Sequence, residues 1–597
     1  MRELEMPFDA EGILKKKRAI KKQLQENSIS NIPIKVAILG GSTTKEIRNI
    51  LELFLMNYGI TPKFYESEYN QYYEDGMFAN PELEAFAPNI IYIHTSYRNI
   101  QWLPDITDSP KQVTEKLDMV YERLEGLWEH ISETYHCNII QNNFELPYYR
   151  IMGNKEASDY RGTINFVTRL NMRLYDYAQR HKFFYIHDIN YESACYGIDK
   201  WSDPFYWNMY KYALCVPAIP YTAFGVANII KAIYGKNKKV FCLDLDNTLW
   251  GGIIGDDGVD NIEIGQETSM GQAYAEFQEY IRKHKDIGVL LTVNSKNNED
   301  TARTGFEKRD SVLKMEDFVA FRANWLPKSE NLASIAEELN LLQESFVFVD
   351  DNPVERENVR QENANIAIPE IDTIERYIAT LDKNAYFEVV NLSEDDLRRN
   401  EMYQANAKRE RDKLSYHSYE DYLLSLEMKG TIRAFETEYV SRIAQLTNKS
   451  NQFNLTTRRY SQAEIEEAAQ DSMRITLYGR LEDKFGDNGI VSVIIGKKKE
   501  KELHIDLWLM SCRVLKRDME FAMMDELVKR CQEQDIHKVF GYYYPTVKNG
   551  MVQDFYELQG FTKVSEDTKG NTIWEYDIND TYVKKNRVIN VNENDNS

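Results

Sequence analysis

The sequence predicts an α/β protein of several domains, and three observations predict it. Apolar runs of strand length, Lys35-Val36-Ala37-Ile38-Leu39 and Val240-Phe241-Cys242-Leu243, end abruptly in small polar or acidic residues, and helix-like stretches follow. Alternating buried strands and helices mark parallel sheets, whose chemistry lies just beyond the carboxyl ends of the strands. A chain of 597 residues with 43% hydrophobic content exceeds one domain and can fill several cores. Toward the C-terminus the pattern changes, and Asp487-Asn488-Gly489 between strand-like runs reads as the turn of a hairpin.

Composition excludes several classes. A net charge of −22 argues against nonspecific nucleic-acid binding, which needs a basic face. No apolar stretch approaches the roughly 20 residues that span a bilayer. Met1 to Gln25 is charged and helix-like, without the apolar core of a secretion signal. Cys137, Cys195, Cys215, Cys242, Cys512 and Cys531 are scattered without metal-ligand spacing, which fits reduced thiols and a cytoplasmic location.

The first strand's end at Asp244-Leu245-Asp246-Asn247-Thr248-Leu249-Trp250-Gly251-Gly252 is the most informative stretch. Alternate residues of an extended chain point the same way, so Asp244 and Asp246 reach one small site. Carboxylates that close stay ionised together most easily around a divalent cation, which suggests Mg²⁺-assisted chemistry on a phosphate. Three later segments fit the same site. The run Gly288 to Val293 stops in Asn294-Ser295-Lys296-Asn297-Asn298, where a hydroxyl and backbone N–H groups suit phosphate oxygens. Lys328 follows Pro327 at the start of a helix expected over Asn331 to Asn340, a point charge for a phosphorylated intermediate. Ser345 to Val349 runs into Asp350-Asp351-Asn352-Pro353, a second acidic pair for a metal shell. Each segment alone has a plainer reading as loop serine, surface lysine or helix cap. Their order along one β/α pattern points to a composite site.

That order resembles the haloacid dehalogenase superfamily, and DLDNTLWGG, VNSKNN, NWLPKSEN and FVFVDDNPVERE resemble its FkbH-like members. The resemblance implies Asp244 as nucleophile and metal ligand, and Asp246 as general acid/base that also binds metal through its carbonyl. It implies phosphate contacts from Ser295 and Lys328, and Mg²⁺ ligation by Asp350 and Asp351. Asn247, Thr248, Gly251, Gly252, Asn294 and Lys296 are expected to support the loops or the phosphate. The stretch between Thr248 and Ser295 is too short for a large cap. The expected organisation is a helical segment over 1–30, an α/β domain over 31–235, a phosphatase-like domain over 236–380, a helical connector over 381–425, an α+β domain over 426–580 and a disordered tail over 581–597.

The outer domains carry the resemblance further. The N-terminal one is similar to SGNH hydrolases, with Ser42 where their nucleophile lies. Asp203-Pro204-Phe205-Tyr206 has tyrosine where a histidine base is wanted, so a degenerate scaffold or docking domain is expected. The C-terminal domain resembles GNAT acyltransferases, and its motifs suggest a pantetheine or acyl site from Asn451, Gln452, Asn454, Thr456, Arg458, Asp487, Asn488 and Arg513. Relatives carry glycines in the turn that here reads Cys512-Arg513-Val514-Leu515-Lys516-Arg517-Asp518. Cys242 and Cys512 are rival acyl-carrying thiols. FkbH-like enzymes load a glyceryl unit from 1,3-bisphosphoglycerate onto an acyl carrier protein, so that reaction is the leading expectation. A plain phosphatase acting on a phosphorylated small molecule is the alternative.

Overall fold

A computed structural model describes residues 1–26, 32–363, 365–413, 415–450, 452–579 and 582–592. The chain forms two compact units, Met1–Tyr234 with 460–465, and Gly235–Arg459 with 466–597.

The first unit is built on a parallel sheet of β1 (Ile32–Gly40), β2 (Ile60–Glu66), β3 (Ile90–His94), β4 (Asn138–Asn142) and β5 (Phe184–His187), in the order β2-β1-β3-β4-β5. The run Val216–Ile233 is long and apolar enough to cross a membrane by length and composition. This corrects the expectation that no stretch qualifies; 72% of it is buried among the domain's own side chains, as befits a core helix.

The second unit holds two sheets. The first orders β6 (Val240–Leu243), β7 (Leu290–Ser295), β8 (Phe318–Ala323) and β9 (Phe346–Val349) as β8-β7-β6-β9, all parallel. Every residue of β6 is fully buried, because both faces of the strand are covered. Phe241 and Leu243 pack with Phe277 and Ile281 on one side; Val240 and Cys242 pack with Leu332 and Ile335 on the other. Each such side chain contributes roughly 1.5–3 kcal/mol of burial, which fixes the height at which Asp244 leaves the sheet.

The second sheet runs β15-β16-β14-β13-β12-β11-β10-β17 from β10 (Lys429–Arg433), β11 (Arg474–Asp483), β12 (Gly486–Lys499), β13 (Glu502–Met510), β14 (Lys538–Tyr543), β15 (Thr562–Glu566), β16 (Thr572–Asp577) and β17 (Asn590–Val591). Its strands gather around the helix Met519–Glu533, as expected. Two expectations need correction. The hairpin turn lies between Asp483 and Gly486, where Gly486 takes φ +143°, and Asp487-Asn488-Gly489 falls inside β12 beside a register shift. Asn590 and Val591, within the expected tail, pair with β10 and extend the sheet.

The connector joins the two sheets through buried charge. Asn400 Nδ2 donates to the carbonyls of Lys285 (3.0 Å) and Val289 (3.1 Å), and Arg399 donates to Gly288 (2.9 Å), all at the turn before β7. Arg409 clamps Asp483 of β11 with two bonds of 2.8 and 2.7 Å. Buried Asp396 meets Arg399, Lys449 (3.1 Å) and Gln445 (2.8 Å). Burial opposes its ionisation, but Lys449, Arg399 and Arg442 outweigh it and hold its carboxyl well below the usual range. Its stabilising contribution is therefore fully present above the unfolded carboxylate's pKa, near 3.8, and is lost as the pH falls below it. Asp396→Asn is expected to cost about 2–4 kcal/mol in urea unfolding near neutral pH, and to flatten the acid limb of the stability curve. An unchanged denaturation midpoint would refute this role.

Candidate active site

The site lies where β6, β7 and β9 end. Parallel pairing sets their carboxyl ends side by side, so the loops at 244–252, 294–298 and 350–353 converge. The Asp244 N–H donates to Val349 O (2.9 Å), tying the nucleophile's backbone to the strand that delivers Asp350. One carboxylate oxygen each from Asp244, Asp350 and Asp351 lie within 4.8 Å of one another. Lys328, the first residue of the helix Lys328–Glu338, places Nζ 2.9 Å from Asp244 and 2.5 Å from Asp350. Burial works against its charge, but Asp244 and Asp350 outweigh it and keep the ammonium protonated. Asp350 and Asp351 are pushed up by burial and by Asp244, a repulsion that Lys328 only partly offsets. Hard carboxylate oxygens crowded in this way suit Mg²⁺, which would relieve the repulsion that remains.

Asp246 is aimed separately. Its Oδ1 accepts from Trp250 Nε1 (2.9 Å) and the Ile254 N–H (3.1 Å), and its Oδ2 accepts from Asn297 Nδ2 (2.8 Å). A carboxylate fixed at both oxygens holds its place while its proton comes and goes. Asn297 also donates to Ser295 Oγ (3.2 Å), linking the acid/base to the phosphate-side hydroxyl.

The supporting residues fall into place from local chemistry. Asn247 takes φ +53°, and its Oδ1 accepts from Gly252 N (3.0 Å), closing the loop on itself. Tyr377 and Tyr274 donate to the Asn247 carbonyl at 3.1 and 3.4 Å. At Gly251 an added Cβ would stand 2.8 Å from the Tyr274 ring, so only glycine fits there. Thr248 Oγ1 accepts from Asp351 N (3.2 Å), and Asn294 Nδ2 donates to Lys328 O (2.8 Å). Lys296 is not part of the pocket: it turns to Glu355 at 2.6 Å.

Sequence reasoning missed Arg356, whose Nη1 donates to both the Asp350 and Asp351 carbonyls (2.7 and 2.8 Å), and it gave no role to the side chains of Trp250 and Asn297. All three stand inside motifs that were legible. The offsets of Trp250 from Asp246 (i+4) and of Arg356 from Asp351 (i+5), and the place of Asn297 two residues after Ser295, were the available signal.

The thiols are placed differently from expectation. Cys242 shares the face of Asp244 but lies wholly within the core, and burial pushes its thiol up to about 12. A thiol so placed has neither access nor thiolate, which corrects its reading as an acyl carrier. The side chain of Cys512 lies outside the described residues; its backbone begins the short turn Cys512–Val514.

The expected pantetheine residues do not form one group. Asn451 lies outside the described residues, and Gln452 opens the segment that follows it. Where β13 and β14 diverge, 453–455 inserts between them: Leu455 N donates to Trp508 O (3.1 Å), Met510 N to Phe453 O (3.0 Å) and Tyr544 N to Leu455 O (2.9 Å). Asn454 Oδ1 accepts from Thr457 N (2.8 Å), so this asparagine is buried structure rather than an exposed contact. Thr456 and Arg458 flank Asp506 farther along. Asp487 pairs with Arg480, Asn488 is buried, and Arg513 turns to Ser511 (3.2 Å) and Met402. Arg517 is likewise committed to Asp483 and Asn406, which leaves no arginine of that turn facing an incoming phosphate. Lys516 and Asp518 both adopt positive φ (+63° and +61°), so the turn has a backbone suited to glycine at these two positions.

In the first unit, Ser42 is buried and its Oγ has no hydrogen-bond partner among the described residues. Thr43 beside it bonds to the carbonyls of Tyr210 (2.7 Å) and Lys211 (2.9 Å), so the Asp203–Lys211 stretch does reach the serine loop, without a histidine. Behind it runs a buried row that sequence reading missed. His94 Nδ1 meets Asn142 (2.9 Å), and Asn142 meets His187 Nδ1 (2.9 Å). Burial holds both imidazoles neutral, pushed down to about 4 at His94 and about 3 at His187.

Residues 35–231 match the family described as FkbH, N-terminal domain. The N-terminal part of BF1531 from Bacteroides fragilis, a structure containing a phosphatase domain complexed with Mg, is 29% identical with a TM-score of 0.58, and covers 63% of this chain and 99% of that one. The ribosomal-protein-S18-alanine N-acetyltransferase of Escherichia coli is 13% identical with a TM-score of 0.20, covering 26% of this chain and 99% of its own. The spermidine N-acetyltransferase of Vibrio cholerae, solved with CoA and spermine, gives 14% and 0.21, covering 25% and 96%. No curated protein matches. The fold and the site define a phosphatase-like domain of haloacid-dehalogenase type. More particularly, the chain carries an FkbH N-terminal domain followed by that phosphatase-like domain.

Trp250→Phe keeps the ring in the core and deletes one bond to Asp246. It is expected to lower kcat for phosphate release about tenfold with little change in melting temperature. Equal kcat would show that the indole does not aim the acid/base. Lys516→Gly is expected to stabilise the protein by about 1 kcal/mol by relieving the left-handed backbone; a lower denaturation midpoint would contradict that.

Proposed function

We propose that the chain is a Mg²⁺-dependent enzyme that takes a phosphorylated small acid, of the 1,3-bisphosphoglycerate type, and loads its glyceryl unit onto a phosphopantetheinyl acyl carrier protein with release of phosphate. The observation that carries the reading is the buried assembly of Asp244, Lys328, Asp350 and Asp351, with Asp246 fixed beside it. Asp244 is the nucleophile toward phosphorus. Asp246 protonates the departing alkoxide and then takes the proton of the water that cleaves the aspartyl phosphate. Lys328 and the Ser295 hydroxyl hold the phosphoryl oxygens. Asp244, Asp350 and Asp351, with the Asp246 carbonyl, would hold Mg²⁺, which would supply charge neutralisation for the phosphoryl group.

The two phosphates of such a donor need different chemistry. The phosphate ester is a substrate for Asp244. The acyl phosphate is an activated acyl group: a thiolate attacks its carbonyl carbon, the C–O bond to phosphate breaks and phosphate leaves with the electron pair. With Cys242 sealed in the core, the thiolate is assigned to the carrier's pantetheine arm. A plain phosphatase is the second reading, favoured by the filled gap between β13 and β14, which offers no open strand edge to an extended arm.

Incubation with Mg²⁺, 1,3-bisphosphoglycerate and a phosphopantetheinylated carrier separates them. A glyceryl mass increment on the carrier supports loading; phosphate release with an unchanged carrier would sink it and leave the phosphatase. Asp244→Asn and EDTA are each expected to reduce phosphate release by at least about 10³-fold. Undiminished release in either case would refute the site.

A further inference from the structure

In the C-terminal sheet, the cleft over β11, β12, β13 and β14 has a volume of about 660 Å³ and is lined by Thr456, Arg458, Arg474, Lys497, Lys499, His504, Ile505, Asp506, Tyr542 and Tyr544. It shares Thr456 and Arg458 with the expected pantetheine residues and none with the Asp244 centre. Its floor is a cross-strand row in direct register: Arg474 opposite Lys497, Lys497 opposite His504, and His504 opposite Phe540. Directly opposed residues share one face of a sheet, and like charges placed so repel. Arg474 is offset by Asp471 (3.1 Å) and Arg458 by Asp506. Lys497 and Lys499 are exposed and form no ion pair within 4 Å among the described residues, with Glu502 opposite Lys499 in the register. A chain with a net charge of −22 thus concentrates unpaired positive charge in one concave place.

The other wall is aromatic. His504 stacks on Phe540 (centroids 4.9 Å, planes 10° apart), donates or accepts at Nδ1 with Tyr542 Oη (2.7 Å), and lies 25° from the Tyr542 plane. Tyr544 stands 6.4 Å beyond Tyr542 and is 40% exposed. Lysines that repel one another beside an open tyrosine edge suit one kind of guest: phosphate oxygens toward the lysines and a flat ring toward the tyrosines.

We propose that this cleft binds a small phosphorylated molecule bearing a flat ring, of the nucleoside diphosphate class, at a site separate from the Asp244 centre. Lys497 and Lys499 take the phosphates, Arg458 and Arg474 border them, and Tyr542 and Tyr544 take the ring.

Calorimetric titration of the full chain carrying Asp244→Asn, in EDTA, silences the phosphatase centre and isolates the cleft. ADP is expected to bind, pyrophosphate to bind at least about threefold more weakly, and adenosine not to bind. Adding Lys497→Glu with Lys499→Glu is expected to weaken ADP at least about thirtyfold. Absence of ADP binding, or equal affinity in the charge-reversed protein, would overturn the proposal. Adenosine binding as well as ADP would remove the phosphate half, and pyrophosphate matching ADP would remove the ring half. Should the charge reversal unfold the domain, the ring signals of His504, assigned through His504→Gln in the otherwise native chain, give an independent readout. ADP is expected to shift them, and signals that stay fixed at saturating ADP would also overturn it.

Discussion

Carboxylates gathered at the end of a buried strand repel one another, and the molecule's catalytic half is arranged around that repulsion. Lys328 is the cation the fold itself supplies. It reaches both Asp244 and Asp350 because Pro327 ends the preceding loop and starts a helix directly above the sheet. One ammonium cannot balance Asp244, Asp350 and Asp351 together, and the raised Asp350 and Asp351 carboxyls register the deficit. The remainder defines the metal's place. Even Arg356, which could have neutralised an aspartate directly, binds the Asp350 and Asp351 carbonyls instead, so it braces the loop and leaves the carboxylate oxygens for a metal.

The same separation of roles governs Asp246. Asp244 sits among charges; Asp246 sits among neutral donors from Trp250, Ile254 and Asn297. Two aspartates one residue apart therefore meet different surroundings, which suits them to the different roles proposed for them. The alternation of an extended chain accounts for their common direction, and the glycine pair that follows lets the loop fold back so that Trp250 can reach Asp246.

Much of this was legible in the sequence, for a physical reason. β6 and β9 are buried on both faces, so they read as unbroken apolar runs, and the aspartates that end them stand out. β8 escaped notice because Phe318–Ala323 mixes apolar residues with Arg322, as a strand at the margin of its sheet can. Lys296 was misjudged because its neighbour Ser295 faces the site while the following residue of an extended chain faces away, toward Glu355. Cys242 stands two residues before Asp244 and so shares its face, but spacing along a strand carries no depth, and depth decides whether a thiol ionises. The C-terminal motif 451–460 was legible as unusual without being legible as structural. Its hydrogen bonds go to main chain on β13 and β14, and main-chain partners leave no mark on side-chain pattern.

The turn before the helix Met519–Glu533 shows where sequence difference and structural difference part. Lys516 and Asp518 hold a left-handed backbone of the kind glycine adopts most readily, since both residues take positive φ. What changes is charge. Asp518 stands at the helix start, where the backbone dipole favours anions, and burial and Glu420 raise its carboxyl. An incoming phosphate would meet that carboxylate, while Arg513 and Arg517 are held by Met402, Asp395 and Asp483. Of the cations in this turn, Lys516 alone is exposed and forms no ion pair among the described residues. Lys497 and Lys499 of β12 offer a second exposed group of positive charge in the same domain.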